Sequence, residues 1–377
     1  MKKIPKSLQE KLDNRHDSGT FRALKTKPHL IDFSSNDYLG LARLDAISAR
    51  SEQILKDSVC RLNGATGSRL LTGHYPLFEQ VEQSIATYHQ TETSLIFNSG
   101  YDANIGVFSS LPQRNDLVFY DEFSHASIRD GLRLSLSKSQ SYKHNDFEDL
   151  EKKIKKTTTL STVWIVTEAV FSMDGDSPDW EKLAQICNRF DIHLIIDEAH
   201  ATGVLTDLPK MYRQTTLENH LTARIVTFGK ALGCHGAAVL GNQLLKNYLI
   251  NFARSLIFTT ALPPSALATI AAAYESLQDK SFAEKLQQNI DCFHRNIANL
   301  GLKNCFLPSR SAIHCCIVSG NERVKELSLQ LEKSGFDVRP ILSPTVPAGK
   351  ERLRFCLHAF NDEKQIKEAL SVLQKHD

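Results

Sequence analysis

The segment HLIIDEAH, His193–His200, decides the fold class of this chain. It opens as a short run that is apolar on both faces, as in a buried strand, and the polar residues Asp197, Glu198 and His200 follow at once. The segment RIVTFGK, Arg224–Lys230, repeats this design and ends on a lysine. Because open α/β sheets bind ligands at the carboxyl ends of their strands, both segments predict a site at that edge of a sheet.

Four more runs of the same kind surround these two segments, and helical patterns separate them. They are Ser94–Phe97, Leu117–Tyr120, Val163–Val166 and Ala237–Leu240. The sequence therefore predicts an α/β fold with a mostly parallel central sheet flanked by helices.

The pattern changes near residue 280. Strand-like runs at 312–318 and 353–357 alternate with helical patterns that end near residues 331 and 373. We therefore expect a large cofactor-binding domain at 46–280 and a smaller α+β domain at 281–377. Residues 1–45 are expected to form an N-terminal segment that contributes to the substrate site.

Composition excludes several classes of protein. Of 377 residues, 41% are hydrophobic and 23% charged, as in ordinary folded proteins, and 45 basic against 43 acidic residues give a net charge of +2. That balance argues against a nucleic-acid-binding protein. Because no apolar run reaches the roughly 18 residues of a membrane span, and no apolar signal segment follows Met1, we expect a cytoplasmic protein. The eight cysteines lack metal-binding spacing, so no metal is expected and they should be reduced.

Each polar strand end has an ordinary and a chemical interpretation. Asp197 could cap a helix or face a cationic ring nitrogen, and Lys230 could be a surface lysine or an amine nucleophile. His125 could cap a helix or lie against an aromatic ligand. Gly100, between a strand and a helix, could bind phosphate through free N–H groups, while Ser172 has no evident local role. Taken in their order along the chain, these five strand ends supply the chemical groups that a pyridoxal 5′-phosphate (PLP) site requires.

The chain resembles the α-oxoamine synthases, which are fold type I PLP-dependent transferases, from about Leu12 to Leu373. Together the motifs that carry the resemblance are highly specific for this family. They are DFSSNDYLGLA (32–42), GATGSRLLTGHYPLFEQVE (64–82), FNSGYDAN (97–104), SHASIRDG (124–131), TEAVFSMDGD (167–176), DEAHATGV (197–204), TFGKALG (227–233) and PTVPAGKERLR (344–354).

The resemblance implies four catalytic residues. Lys230 matches the lysine that forms a Schiff base with PLP, and Asp197 matches the carboxylate that keeps the pyridine nitrogen protonated. His200 matches the residue that hydrogen-bonds the phenolic oxygen of PLP, with Ser172 beside it. His125 matches the imidazole stacked on the ring.

The resemblance also implies how the phosphate of PLP is bound. Gly100 and Tyr101 match main-chain contacts, and Thr227 matches a hydroxyl contact. Thr259 or Thr260 resembles a phosphate ligand lent by the other subunit, so the resemblance implies a homodimer with its active sites at the interface.

Five residues are implied on the substrate side. Arg354 matches the arginine that binds the carboxylate of the amino acid. Arg22, Asn36 and Thr345 match further substrate positions, and His125 belongs to this set as well.

The family implies the condensation of an amino acid with an acyl thioester, with loss of CO2. The chain is most like the branch that joins L-alanine to a pimeloyl thioester, carried by CoA or by an acyl carrier protein. Three alternatives within the family stay open, namely 5-aminolevulinate synthase, 2-amino-3-ketobutyrate CoA ligase and serine palmitoyltransferase. The alternative from another class is a non-catalytic paralogue that has the fold of a PLP enzyme but only binds partners. The presence of Lys230 argues against it.

One position departs from the pimeloyl branch. Members of that branch often carry an arginine three residues before the threonine that matches Thr345. Here the position is Leu342, and the nearest arginine is Arg339. The residues that hold the acyl substrate are therefore left open.

Overall fold

The structure is a computed structural model, and it describes residues 4–24, 26, 29–60, 62–157 and 162–374. The helices are α1 (Lys6–Asp17), α2 (Asp45–Asp57), α3 (Pro76–His89), α4 (Gly100–Ser110), α5 (Ala126–Leu134), α6 (Phe147–Lys155), α7 (Trp180–Phe190), α8 (Leu208–Gln214), α9 (Gln243–Phe252), α10 (Arg254–Ile257), α11 (Pro264–Ser276), α12 (Ser281–Asn299), α13 (Asn321–Lys333) and α14 (Glu363–Gln374). The strands are β1 (Ile31–Asp32), β2 (Thr93–Phe97), β3 (Leu117–Asp121), β4 (Lys138–Tyr142), β5 (Val163–Glu168), β6 (Ile192–Asp197), β7 (Leu221–Thr227), β8 (Ala237–Gly241), β9 (Ile313–Ile317), β10 (Phe336–Asp337), β11 (Arg339–Ile341) and β12 (Arg352–Cys356).

The central sheet has the order β2-β8-β7-β6-β5-β3-β4. Strand β8 runs antiparallel to both β2 and β7, and the other strands are parallel to one another. The prediction of a mostly parallel sheet is confirmed. The carboxyl ends of β2, β7, β6, β5, β3 and β4 therefore meet at one edge, where ligands bind in sheets of this kind.

Alternate residues of the central strands pack into two separate hydrophobic clusters. On β6, Leu194 and Ile196 belong to the first cluster and Ile195 to the second. The first cluster contains side chains of α3, α7, α11 and α12, and the second contains side chains of α4, α5 and α9. Because successive strand residues point to opposite faces, helices cover both faces of the sheet, which explains why these strands are apolar throughout.

A smaller antiparallel sheet, of order β11-β12-β9, lies in the C-terminal part of the chain. The two strands predicted there and the helices after them are present as β9, β12, α13 and α14. The division of the chain into domains at residues 45 and 280 stays a prediction.

The N-terminal segment is joined to this C-terminal part. Strand β1 pairs in parallel with β10, and the Cys356 N–H donates to the Phe33 carbonyl at 2.8 Å. The Ala359 N–H donates to the Tyr38 carbonyl at 2.8 Å. These bonds hold residues 33–38 beside the end of β12, which brings Asn36 and Tyr38 toward the site. No helix of the described ranges is long and apolar enough to cross a membrane.

Candidate active site

Asp197, the last residue of β6, is buried at the carboxyl edge of the central sheet. Its Oδ1 accepts the Ala199 N–H at 2.9 Å, and its Oδ2 accepts from Asn104 Nδ2 at 2.8 Å. Asn104 lies one turn into α4. No α-helix begins directly after Asp197, so the simple helix-cap interpretation is wrong. The hydrogen bond from Asn104 instead fixes the carboxylate from helix α4.

His125 lies directly before α5 and is connected to Asp197 through two polar side chains. Its Nδ1 accepts the Ser127 N–H at 3.3 Å and lies 2.7 Å from Ser127 Oγ. Ser127 Oγ accepts from Asn104 Nδ2 at 2.8 Å, so its own proton can bond His125 Nδ1. This network assigns the proton of a neutral imidazole to Nε2. Burial lowers the pKa of His125 below its ordinary value, in keeping with a neutral ring. Thus His125 both caps the helix and lies in the site.

Lys230 follows β7 in a tight turn and is half-buried. Burial lowers the pKa of its ammonium to about 8, although the carboxyl groups of Asp197 and Glu168 act in the opposite direction. A lysine of this kind is neutral for part of the time near neutral pH. It can therefore act as a nucleophile or accept a proton, which an ordinary surface lysine rarely does.

His200 is linked to the C-terminal part of the site by a chain of hydrogen bonds. Its Nδ1 lies 2.7 Å from the hydroxyl of Tyr38. Tyr38 is fully buried, and its hydroxyl donates to Asn36 Oδ1 at 3.0 Å. Asn36 Oδ1 also accepts from Arg354 Nη2 at 3.1 Å. Burial and the cations Lys230 and Arg354 hold the pKa of His200 well below its usual range. The imidazole is therefore neutral.

Arg354, on β12, is a buried cation that lacks an acidic partner among the described residues. Its Nε donates to the Ser172 carbonyl at 2.7 Å, Nη1 to Cys356 Sγ at 2.9 Å, and Nη2 to Asn36 Oδ1 at 3.1 Å. A guanidinium has five N–H groups, so each terminal nitrogen has a second N–H, with the Tyr38 hydroxyl as a further neighbour. Two such groups are the pair that a carboxylate binds in bidentate fashion.

The amino end of α4 faces β7 at the same edge. A Cβ atom on Gly100, the first residue of α4, would lie 3.4 Å from Thr227 Oγ1, so the backbone and this hydroxyl approach closely. Tyr101 is about half exposed, and its hydroxyl donates to Asp130 Oδ2 at 2.9 Å. Backbone N–H groups at the start of a helix, with a hydroxyl nearby, suit a phosphate group.

Thr259 and Thr260 lie beside the end of β2 in the same chain. Asn98 Nδ2 donates to Thr259 Oγ1 at 3.1 Å and to the Thr260 carbonyl at 2.7 Å. Thr260 is exposed. This part of the chain is therefore near the Gly100 end of the site but open to solvent.

Other predicted residues are less closely tied to the site. Arg22 is exposed in the segment after α1, and Thr345 is exposed in the loop after β11. Ser172 contributes its carbonyl to Arg354. Leu342 is partly buried against the core, and Arg339 pairs with Asp337 at 3.1 Å.

Three residues of the site were not predicted from the sequence: Asn104, Tyr38 and Glu168. Asn104 lies four residues after Gly100, on the same face of a helix, and that spacing was an available signal. Tyr38 lies two residues after Asn36 in a short irregular segment, where no periodic pattern indicates which side chains are buried. Glu168 directly follows a buried strand, as Asp197 does.

A family model for class I and II aminotransferases matches residues 28–373. The chain belongs to this family. A relative from Geobacillus kaustophilus (strain HTA426) is 39% identical over 376 residues and covers 98% of this chain and 94% of the relative. One from Bacillus cereus (strain G9842) is 36% identical over 385 residues and covers 96% and 94%. Both are provisionally named 8-amino-7-oxononanoate synthase.

Solved structures agree with this family. Serine palmitoyltransferase from S. paucimobilis, with a bound PLP–myriocin aldimine, superposes with a TM-score of 0.87 at 25% identity and covers 98% of this chain and 96% of its own. An 8-amino-7-oxononanoate synthase from Francisella tularensis gives 0.76 at 29% identity, with 93% and 98% covered. Within the aminotransferase family, the chain is thus an α-oxoamine synthase of fold type I and a PLP-dependent acyltransferase.

The residues at this edge fit PLP. The amino end of α4 lies beside Thr227, because a Cβ atom on Gly100 would contact the Thr227 hydroxyl at 3.4 Å. Asp197 is held by two donors, and the Lys230 amine is half-buried with a lowered pKa. The chemistry of this set matches the phosphate, the ring nitrogen and the aldehyde of PLP in turn.

Proposed function

We propose that this chain condenses L-alanine with a pimeloyl thioester, carried by CoA or by an acyl carrier protein, and releases 8-amino-7-oxononanoate, CO2 and the free thiol. The names of the relatives support this choice of substrates. The observation that carries an amino-acid substrate is Arg354, a buried guanidinium with a second N–H on each terminal nitrogen and no acidic partner among the described residues.

When bound, PLP supplies an electron sink for the charge left at the α-carbon of the amino acid. The side chains of this chain do the rest. Asp197, fixed by Asn104, holds the proton on the ring nitrogen by Coulomb attraction. Lys230 binds the cofactor and then removes and returns the α-proton at Nζ, for which an amine with a pKa of about 8 is suited.

Further residues orient the reactants. Arg354 would bind the carboxylate of alanine, and His125 and His200, whose pKa values are both lowered, would contact the cofactor as neutral imidazoles. Gly100, Tyr101 and Thr227 bind the phosphate, and Ser172 assists His200. We assign Asn36, Arg22 and Thr345 to the substrate side.

The enzyme is proposed to be a cytoplasmic homodimer in which Thr259 or Thr260 reaches the phosphate of the neighbouring subunit. Thr259 is partly exposed and Thr260 exposed, as a ligand lent across an interface requires. Phe258, beside them, is 70% exposed, and a large apolar side chain at that position suits a covered surface.

A sister activity is the second candidate. Leu342 supplies no charge for the terminal carboxylate of a pimeloyl chain, and serine palmitoyltransferase gives a TM-score of 0.87 against 0.76 for the 8-amino-7-oxononanoate synthase. An uncharged acyl chain would suit such a position.

One matrix of assays separates the two candidates. Purified protein with PLP is given alanine, glycine or serine with pimeloyl, acetyl, succinyl or palmitoyl thioesters, and free thiol and CO2 are measured together. The proposal expects the highest kcat/KM for alanine with a pimeloyl thioester. A preference for serine with palmitoyl thioester would replace it with the sister activity.

A further inference from the structure

Glu168 is an acid of this site to which the proposed reaction gives no task. It is the last residue of β5, is only 3% exposed, and pairs in register with Asp197 at the end of β6. Its Oε1 accepts the backbone N–H of His125 at 2.6 Å. A single carboxyl group thus fixes the start of the segment that carries the imidazole, from a strand 43 residues away in sequence.

The surroundings of Glu168 differ from those of two other buried glutamates, Glu198 and Glu82. Glu198 is bonded by Arg224 at 2.6 and 2.8 Å, and Glu82 by Arg69 and Lys246 at 2.6 and 2.8 Å. In the described part of the chain, no side-chain nitrogen of lysine, arginine or histidine lies within 4.0 Å of the Glu168 carboxyl group. A buried carboxylate with one donor and no cationic partner is costly, so such a group keeps its proton, whereas Asp197 accepts from two donors.

The charged groups around Glu168 come from three neighbouring strand ends. Asp197 and Asp121 are acidic, Lys230 is basic, and His125 is neutral. Burial and the Asp197 carboxylate raise the pKa of Glu168 to about 8, against the opposing effects of the His125 N–H and Lys230. The carboxyl group is therefore largely protonated near neutral pH.

We propose that Glu168 is a positioning residue that acts as a neutral carboxylic acid, holding the backbone of His125 and leaving Asp197 as the ionised acid of this pair. The protonation state follows from burial and partners alone, and the benefit to PLP binding rests on the proposed function. An ionised Glu168 would place a second negative charge beside Asp197 and favour a protonated His125.

Glu168→Gln and Glu168→Ala separate the two parts of this proposal. Glutamine keeps the oxygen that accepts the His125 N–H and is neutral at every pH, whereas alanine has no acceptor. We expect the PLP dissociation constant, from absorbance titration at pH 7, to stay within about threefold of wild type in the Gln variant. It should rise about tenfold or more in the Ala variant, because a buried backbone N–H is left unpaired. Equal PLP affinity in all three proteins would overturn the positioning role.

The proton on Glu168 is tested by unfolding the full-length chain without PLP between pH 5 and 8. The folded-state pKa of about 8 lies above the ordinary value of 4.5, so the folded protein binds this proton more tightly. The stabilisation is complete below pH 4.5 and is lost as the pH rises through about 8. The unfolding constant of wild type, relative to Glu168→Gln, should therefore rise by up to about tenfold per pH unit in this window.

Glu198→Gln is the matched control, because Glu198 is a buried acid with a cationic partner. It should destabilise the chain throughout this pH range, since Arg224 loses its carboxylate. A pH-independent ratio for Glu168→Gln, as for this control, would show that Glu168 is ionised and would overturn the proposal. If wild type binds no PLP, the proposed function fails, while the unfolding ratio still decides the protonation of Glu168.

Discussion

Replacing Arg354 by alanine should weaken amino-acid binding through the carboxylate alone. Arg354 is 8% exposed, and the second N–H groups of its two terminal nitrogens would form a desolvated bidentate pair with the substrate. Losing one member of such a pair costs about 2–5 kcal/mol. That range corresponds to a dissociation constant raised roughly 30-fold to several thousand-fold.

The assay is a spectral titration of the PLP-bound enzyme with L-alanine and, in parallel, with ethylamine, which lacks the carboxylate. Arg354→Ala should raise the dissociation constant for alanine and leave that for ethylamine within about threefold. Arg354→Lys should lie between wild type and the Ala variant, because an ammonium keeps the charge but lacks the planar pair of donors.

Arg339→Ala is the control for a general loss of positive charge. Arg339 lies opposite Arg354 on the neighbouring strand, but it is exposed and pairs with Asp337. We expect alanine binding to be unchanged in this variant. The reasoning is refuted if Arg354→Ala binds alanine like wild type, or if it loses affinity for ethylamine to the same degree, since the carboxylate would then lie elsewhere.

Four further outcomes are expected. Lys230→Ala should abolish turnover and the absorbance band of lysine-bound PLP, and turnover near the wild-type level would contradict its role. Asp197→Asn should bind PLP but lose about two to four decades in rate, and a rate within a few-fold of wild type would exclude the assignment. Asn104→Ala removes one of the two donors to Asp197 and the Asn104 donor to Ser127, so kcat should fall roughly 5- to 150-fold, and an unchanged kcat would argue against this second contact. Mixing Lys230→Ala subunits with impaired Thr259→Ala/Thr260→Ala subunits should restore about a quarter of wild-type activity, and no recovery despite verified exchange would place the threonines in their own site or outside it.

The sequence predicts the central sheet well because its strands are buried on both faces. β5 and β6 are mostly apolar and end on acids, so both the strands and the edge of the site can be identified. β4 (Lys138–Tyr142, KSQSY) could not be identified in this way. It lies at the edge of the sheet and pairs only with β3, so its side chains are largely exposed and polar. A hydrophobic pattern indicates burial, and an exposed edge strand has few buried side chains to produce such a pattern.

The residues of the site also fall into two groups, those that local sequence indicates and those that only the fold brings to the site. Asp197 ends a strand, Lys230 follows one in a turn and His125 precedes a helix, so their chemistry could be recognised from local sequence. The contacts that set their protonation are long-range: Asn104 reaches Asp197 across 93 residues, and Tyr38 reaches His200 across 162. Such contacts depend on strand order and on the pairing of the N-terminal segment with β10, neither of which has a local signature. The identity of a reacting group can therefore be read from the sequence, whereas its proton is governed by neighbours that only the fold brings to it.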